Sequence, residues 1–209
     1  MTFLILSLVS SFTCQTAKAG PVPPAVGAKV ADFTLPDIDG QMRSLKQYQD
    51  KKAIVIVFVG TECPIANLYF PTLAEMHRAY SDKGVQFLAV NSNDQDGAAE
   101  VAAHARERKI PFPVLKDNEH KAADALGARR TPEAFLLDAQ HVIRYRGRID
   151  DQYGYTYRRA RPSRTELKDA IEQVIHGKAV ATPETEVRGC MIGRSKKEGS
   201  INQRGTGKL

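Results

Sequence analysis

One stretch in the first third of the chain constrains its fold more than any other. Residues 53–59 read Ala-Ile-Val-Ile-Val-Phe-Val, a short run that is apolar on both faces and rich in β-branched side chains. Such a run is typical of a central strand that is covered on both sides. A turn at Gly60 and Thr61 follows, and Cys63 then directly precedes Pro64. Because proline is favoured in the first turn of a helix, the pattern predicts a helix that begins at the cysteine.

This position predicts a reactive thiol at Cys63. Free backbone N–H groups and the positive end of the helix dipole favour the thiolate, which is the nucleophilic form of cysteine. A free cysteine is also often a small buried apolar residue, and the local pattern leaves this alternative open. The apolar side chains that follow recur at helical spacing and predict one buried helix face: Tyr69, Phe70, Leu73, Met76 and Tyr80.

The N-terminal residues predict an exported protein. Residues 3–9 form an apolar core too short to span a bilayer, and residues 17–19 have the small-x-small form that a signal peptidase cleaves. We therefore expect residues 1–19 to be a signal peptide and the mature chain, with no integral membrane segment, to be periplasmic or secreted. Cys14 raises the alternative of a lipoprotein, which is disfavoured because residues 11–13 lack the usual leucine and small residues.

A single domain is expected in the rest of the chain. Its composition, 42% hydrophobic and 26% charged, is that of a globular protein. From the positions of proline, glycine and the charges we predict a linker at 20–26, a folded domain at 27–178, an extended segment at 179–193 and a disordered basic tail at 194–209.

Strand and helix patterns alternate through this domain and predict an α/β fold. Residues 31–45 predict an N-terminal β-hairpin with its turn at Asp39-Gly40. Residues 85–90 form a second buried strand, parallel to the first because a helical crossover joins them. Further helices are predicted at 97–109, 119–126 and 163–176, and further strands at 111–115, 134–137 and 142–146.

Several short motifs complete the pattern. They are Cys63-Pro64, Asn91 to Asp94, Phe112-Pro113, Thr131-Pro132, Tyr145 to Asp150 and Gly189-Cys190. Together these motifs resemble the thioredoxin-fold redoxins, and among them the peroxiredoxin-like proteins related to alkyl hydroperoxide reductase and thiol-specific antioxidant. The resemblance covers about residues 26–192. It implies a thioredoxin-like α/β fold, with a central mixed β-sheet flanked by helices and an N-terminal β-hairpin.

The resemblance also implies the site. It places Cys63 at the position of the nucleophile, because Pro71 stands where thioredoxins carry a proline eight positions after that cysteine. It implies that the Thr131–Pro132 peptide bond is cis, so that Thr131 and Pro132 face the thiol. The arginine of peroxiredoxins falls on Pro132, so Arg129 or Arg130 would have to supply the cation for peroxidase chemistry.

The chain departs from the thioredoxin pattern at the second cysteine. Ala66 stands three residues after Cys63 and Gly60 three residues before it, so no local Cys-x-x-Cys disulfide is possible. Without Cys14, the mature chain has Cys190 as its second cysteine, 127 positions beyond Cys63. Cys190 is therefore a candidate resolving cysteine, and the alternatives are a surface thiol used for packing or for pairing between two chains.

The sequence thus predicts an exported, thiol-dependent redox enzyme that reduces a peroxide or exchanges a disulfide, with a thioredoxin-like thiol reductant as partner. A non-catalytic binding module with a vestigial Cys63 is the alternative. We expect no cofactor and no metal, because the five histidines are scattered without ligand spacing. The net charge of +6 leaves contact with anionic surfaces open, but no nucleic-acid-binding motif is present and no such partner is expected.

Overall fold

The computed structural model describes residues 24–195. Its strands in chain order are β1 (Thr34–Pro36), β2 (Met42–Ser44), β3 (Ala53–Phe58), β4 (Val85–Asn91), β5 (Val114–Lys116), β6 (Arg130–Thr131), β7 (Glu133–Asp138), β8 (Ile143–Gly147) and β9 (Cys190–Met191). Its helices are α1 (Pro64–Tyr80), α2 (Ala98–Glu107), α3 (Lys121–Leu126) and α4 (Glu166–Ile175), with short 3₁₀ helices at Leu45–Tyr48 and Ser81–Lys83. The predicted signal peptide, Cys14 and residues 196–209 of the predicted tail lie outside the described residues.

Five strands form a mixed central sheet in the order β5-β4-β3-β7-β8. Strands β3, β4 and β5 are parallel, whereas β7 is antiparallel to β3 and β8 is antiparallel to β7. The observed pairing of β3 with β4 confirms the prediction that these two strands run parallel, and α1 makes the crossover between them. The mixed sheet and its flanking helices confirm the predicted fold class.

The apolar residues of β3 are divided between two cores. Val55 and Val57 pack into a cluster with residues of α1, α2 and α4 on one face of the sheet. Ile54, Ile56 and Phe58 pack on the other face with residues of α3 and the N-terminal hairpin. Every residue of β3 is buried, as expected for a strand covered on both faces.

The N-terminal hairpin is confirmed. Strands β1 and β2 pair antiparallel, and the turn between them contains Gly40 with φ of +81°. Asp37 fixes the turn, because its Oδ1 accepts hydrogen bonds from the backbone N–H of Asp39 at 3.0 Å and of Gln41 at 2.8 Å.

Most predicted ends lie within two residues of the observed ones, but two starts are three residues early. Helix α4 begins at Glu166, three residues after the predicted start, because the N–H and hydroxyl of Ser163 bind the carboxylate of Asp151 instead of opening the helix. Strand β5 begins at Val114 and not at Pro111, since Pro113 has no N–H for the ladder.

The C-terminal segment lies back over the sheet. Its first contacts are with β8, where Arg146 donates its N–H to Pro183 O and Thr185 donates to Arg146 O. It then forms β9 beside β6. None of the helices in residues 24–195 has the length and apolar character needed to cross a bilayer.

Candidate active site

Cys63 is the N-cap residue of α1. Its backbone is extended, with φ of −76° and ψ of 108°, and Pro64 occupies the first helical turn as predicted. The backbone N–H of Ala66 points at the sulfur with an N···Sγ distance of 3.5 Å. A donor in this place stabilises negative charge on sulfur. The residue is only 4% exposed, so the nucleophile candidate lies beneath the surface.

The Thr131–Pro132 peptide bond is cis and lies opposite this thiol. Cys63 Sγ donates a hydrogen bond to the carbonyl oxygen of Thr131 at 3.0 Å, across 68 positions of the chain. The Thr131 hydroxyl is buried and has no hydrogen-bond partner among the described residues. The structure therefore brings together Cys63, Thr131 and Pro132.

A polar turn at the carboxyl end of β4 supports the loop before Cys63. Asp96 Oδ2 accepts hydrogen bonds from Thr61 N–H at 3.0 Å, from Asn91 Nδ2 at 2.6 Å and from Asn93 Nδ2 at 3.0 Å. Burial alone would raise the pKa of the Asp96 carboxyl, but these donors hold it below its usual range. The sequence motif Asn91 to Asp94 is thus a hydrogen-bonded turn that also braces the candidate site.

Lys116 is a buried cation under the same turn. Its Nζ donates to Asn91 Oδ1 at 3.0 Å and to the carbonyl oxygen of Asn93 at 2.6 Å. Burial lowers the pKa of the Lys116 ammonium, while the negative charges of Asp96 and Asp94 oppose this shift. Sequence reasoning missed Lys116 and Asp96, because nothing local distinguishes them from surface charges.

Residues 189–195, which we call the strap, cover the site. Cys190 lies opposite Thr131 in the antiparallel pairing of β9 with β6. The buried Ile192 donates its N–H to Arg129 O at 2.9 Å. Farther along, Gly193 N–H donates to Asn93 Oδ1 at 2.9 Å, so the strap also contacts the polar turn.

Cys63 and Cys190 are neighbours, and both are free thiols in this structure. Burial and the adjacent Cys63 thiol raise the pKa of Cys190 to about 11, although the positive charge of Arg130 opposes the shift. Cys190 is therefore a protonated thiol at neutral pH. Unlike Cys63, it is exposed, so it faces both the buried thiol and solvent.

The two candidate arginines serve the strap and the β6 backbone. The Arg130 guanidinium donates to Gly189 O at 2.9 Å and to the Tyr155 hydroxyl at 3.0 Å. The side chain of Arg129 is exposed, while its backbone N–H binds Glu133 Oε2. Within residues 24–195, the hydrogen bonds of Cys63 Sγ involve Thr131 and Ala66 and neither arginine.

A surface groove runs beside the strap. It has a volume of about 560 Å³ and is bordered by the first turns of α1, by the loop that follows β8, and by Cys190. Its apolar and aromatic lining residues are Pro64, Ile65, Leu68, Tyr153, Tyr155 and Tyr157. Sequence reasoning missed this groove, for which the alternating tyrosines at 153, 155 and 157 were the available signal.

Known proteins resemble this chain in sequence and in structure. The chain is 31% identical over 120 residues to the thiol-disulfide oxidoreductase ResA of Geobacillus thermodenitrificans. The aligned region covers 57% of this chain and 67% of that protein. It thus spans about two thirds of the length of this relative.

Two solved structures are similar to the structure of this chain. A hypothetical protein of Sinorhizobium meliloti 1021 matches with a TM-score of 0.76 and 30% identity, covering 83% of this chain and 97% of that one. A putative thiol:disulfide interchange protein DsbE of Chlorobium tepidum matches with a TM-score of 0.57 and 22% identity over 73% of this chain and 96% of that one, which shows the fold.

The family model described as "AhpC/TSA family" matches residues 26–146, which include Cys63 and the cis-proline but not Cys190. This match spans more than half of the chain, and the matched residues form the thioredoxin-like sheet. The protein therefore belongs to the AhpC/TSA family of thioredoxin-fold redoxins.

Proposed function

We propose that this protein is a thiol-disulfide oxidoreductase in which Cys63 is the nucleophile and Cys190 the resolving thiol. One observation carries the proposal. Thr131 O accepts a hydrogen bond from Cys63 Sγ at 3.0 Å, and the same residue is the pairing partner of Cys190 in the β6–β9 ladder. Two cysteines from distant parts of the chain therefore meet at one residue.

The reaction has two exchange steps. The Cys63 thiolate attacks one sulfur of a substrate disulfide, the substrate S–S bond breaks, and the departing sulfur takes a proton. Cys190 then loses its proton to solvent and attacks Cys63 in the mixed disulfide, which releases the second substrate thiol. The substrate gains two electrons and the protein is left with a Cys63–Cys190 disulfide. An external thiol reductant returns both cysteines to the thiol form.

A disulfide is favoured as the substrate because the relative from Geobacillus thermodenitrificans is named a thiol-disulfide oxidoreductase. Peroxide is the second candidate oxidant. The observation that favours it is the buried Thr131 hydroxyl, which has no partner in the described part of the chain and can donate to a peroxide oxygen. In that case Cys63 would form a sulfenic acid, which Cys190 would resolve as water leaves.

Single-cysteine variants test the assignment. In a Cys14→Ser background, Cys63→Ser should abolish reduction of a low-molecular-weight aromatic disulfide and of hydrogen peroxide, because oxygen for sulfur removes the nucleophile with little change in volume. Cys190→Ser should keep the first step and accumulate a mixed disulfide or a trappable sulfenic acid at Cys63. Mass spectrometry of the products identifies the modified residue, and the two oxidants are assayed separately.

Unchanged turnover in Cys63→Ser would contradict the enzyme assignment. It would favour a non-catalytic binding module, in which Cys63 is vestigial.

We also propose that the protein is exported to the periplasm or secreted. Residues 1–19 support this, and a reversible dithiol pair suits an oxidising compartment. The mass of the protein from its native host should correspond to a chain that begins at Gly20. A mass that includes Met1 would contradict export, whereas a lipid on Cys14 would contradict cleavage before Gly20 and show an exported, lipid-anchored form.

A further inference from the structure

The strap fills a strand edge that would otherwise be open beside Cys63. In the β6–β9 ladder Thr131 pairs with Cys190 and Arg130 with Met191, and Ile192 N–H continues the pattern to Arg129 O. Without the strap, Arg129 O would lose its partner Ile192 N–H and the strap side of β6 would be open, whereas the N–H groups of Arg129 and Arg130 would keep their bonds to Glu133 Oε2. An unpaired edge of this kind accepts an extended segment from another chain as an added strand.

The strap lies so close to β6 that the residue at position 189 has no room for a side chain. A Cβ atom on Gly189 would lie 1.9 Å from Thr131 O and 3.1 Å from Pro132 Cδ. Backbone atoms cannot move aside as a flexible side chain can, so only glycine fits immediately before the cysteine. Gly193 differs, because a Cβ there would meet the end of the Gln95 side chain at 2.1 Å.

A polar clamp holds Gly189 from the solvent side. The Tyr155 hydroxyl donates to Gly189 O at 2.8 Å and accepts from Gly189 N–H at 3.0 Å. Arg130 Nη1 donates to the same carbonyl oxygen at 2.9 Å. Because Tyr155 is 60% exposed, the clamp lies at the surface and its opening disturbs little of the core.

We propose that residues 189–192 are an internal pseudosubstrate, that is, a segment of the chain that occupies the place of a partner polypeptide. The partner is an extended segment of another protein that has glycine directly before its disulfide-bonded cysteine. Its disulfide reaches Cys63 only when the strap is displaced. This inference rests on the proposed exchange function. It adds the class of partner and a gate, by which we mean the docked strap that blocks access to Cys63. The partner strand would pair with β6 in the place of β9. Cys63 would then attack the partner's cysteine sulfur, and the other half of that disulfide would leave as a thiol.

The gate is tested by alkylation, which does not require disulfide exchange. The full chain carries Cys14→Ser and Cys190→Ser, so that Cys63 is its one thiol, and it reacts with a maleimide attached to a long polyethylene glycol chain. Gly189→Ala should raise the alkylation rate roughly tenfold or more, because the strap no longer docks and the local opening equilibrium shifts. Gly193→Ala is the matched control and should leave the rate unchanged.

Tyr155→Phe gives a second route to the same result without a steric clash. It removes the clamp hydroxyl and should raise the rate, though less than Gly189→Ala does. Tyr157→Phe removes a hydroxyl from the same loop, leaves the Tyr155 clamp intact and should have no effect. Circular dichroism establishes that each variant is folded. Equal alkylation rates in Gly189→Ala, Tyr155→Phe and the parent would overturn the gate.

Peptide selectivity tests the partner class. Two peptides, Val-Arg-Gly-Cys-Met-Ile-Gly, which is residues 187–193, and the same sequence with valine in place of the glycine before cysteine, carry 2-nitro-5-thiobenzoate on the cysteine sulfur. Release of the coloured thiol by the Tyr155→Phe variant of the single-thiol chain should be at least about tenfold faster with the glycine peptide, because valine clashes with Thr131 O. Equal rates would overturn the glycine requirement. Failure of both peptides to react, with the alkylation results as expected, would contradict the exchange function and leave the gate standing.

Discussion

Gly60 lies where a Cys-x-x-Cys pair would place a second local cysteine, and the structure shows what occupies that space instead. A Cβ atom on Gly60 would lie 3.6 Å from Cys63 Cβ, within the range of about 3.5–4.5 Å that disulfides require. The same atom would lie 2.6 Å from Asn93 Nδ2. The backbone thus keeps the geometry of a local dithiol site, and Asn93 occupies the space that a second side chain would need.

Gly60→Cys combined with Asn93→Ala should form a disulfide between residue 60 and Cys63. The alanine relieves the contact, and the short Cβ–Cβ distance favours this pairing over pairing with Cys190. Peptide mapping by mass spectrometry without reduction identifies the linked residues. Gly60→Ser with Asn93→Ala is the control and should give no such link. A Cys63–Cys190 link in the cysteine variant would contradict the prediction.

Local sequence patterns identified only part of the residues of this site. Cys63 and Pro64 were predictable because a strand, a turn and a helix start leave their signal within one short stretch. The role of Pro132 was predicted from the family resemblance, which also implied that its peptide bond is cis. The sequence analysis named Gly189 in a motif but missed its role and missed Tyr155, because both roles arise from a contact between residues 34 positions apart, which no periodicity encodes.

At the scale of elements, the polar turn after β4 joins two parts of the site. Asp96 binds Thr61 N–H in the loop before α1, and Asn93 binds both Asp96 and Gly193 of the strap. The sequence placed Asn91 to Asp94 among the motifs shared with the redoxins but assigned these residues no single role. The structure shows a turn whose side chains bond locally and whose position supports the nucleophile loop.

Asp96→Asn should lower the free energy of unfolding by about 2 kcal/mol. The amide oxygen can take the place of Oδ2 and accept from Thr61, Asn91 and Asn93, but three hydrogen bonds to a buried charge then become weaker bonds to a neutral oxygen. Urea denaturation followed by circular dichroism measures the change. Asp94→Asn is the control: its bonds to Ser195 lie at the surface and its contact with His120 is partly exposed, so a loss of less than about 1 kcal/mol is expected. Equal losses in both variants would contradict this account.

Sequence patterns predicted the elements better than their ends. Periodicity identified the central strands and α1 because each buries a continuous face, whereas α4 was placed three residues early. The reason is that Ser163, a good helix-capping residue, has its N–H and hydroxyl engaged by a carboxylate twelve positions back.

At the scale of the whole molecule, the site is assembled from three distant segments. The turn before α1 supplies Cys63, β6 and the residue after it supply Thr131 and Pro132, and the strap supplies Cys190. The sequence left the role of Cys190 open, because 127 positions separate it from Cys63 and the pairing depends on the register of β9. That register is seen in long-range backbone hydrogen bonds, such as Ile192 N–H to Arg129 O beside β6, which no local pattern reveals.

The loop between β8 and α4 carries the tyrosines of the groove, and Asp151 holds it together. Asp151 Oδ1 accepts from the backbone N–H groups of Ser163 at 2.7 Å and Arg164 at 3.0 Å. Its Oδ2 accepts from the Ser163 hydroxyl and the Arg159 guanidinium. Burial would raise the pKa of Asp151, but these donors lower it from 3.8 to about 2.

This shift predicts how stability changes with pH. Because the folded-state pKa lies below the unfolded value, Asp151 contributes stability above pH 4 and loses it as the pH falls from about 4 to about 2, with a size of about 2 kcal/mol. Asp151→Asn should therefore be less stable than the parent by about that amount at pH 7, and the difference should close toward pH 2. Urea denaturation at a series of pH values measures it. Asp50→Asn, at an exposed carboxylate paired with Lys51, should differ from the parent by less than about 0.5 kcal/mol at every pH. A difference for Asp151→Asn that stays constant or widens as the pH falls would show that its ionised carboxylate does not hold the loop.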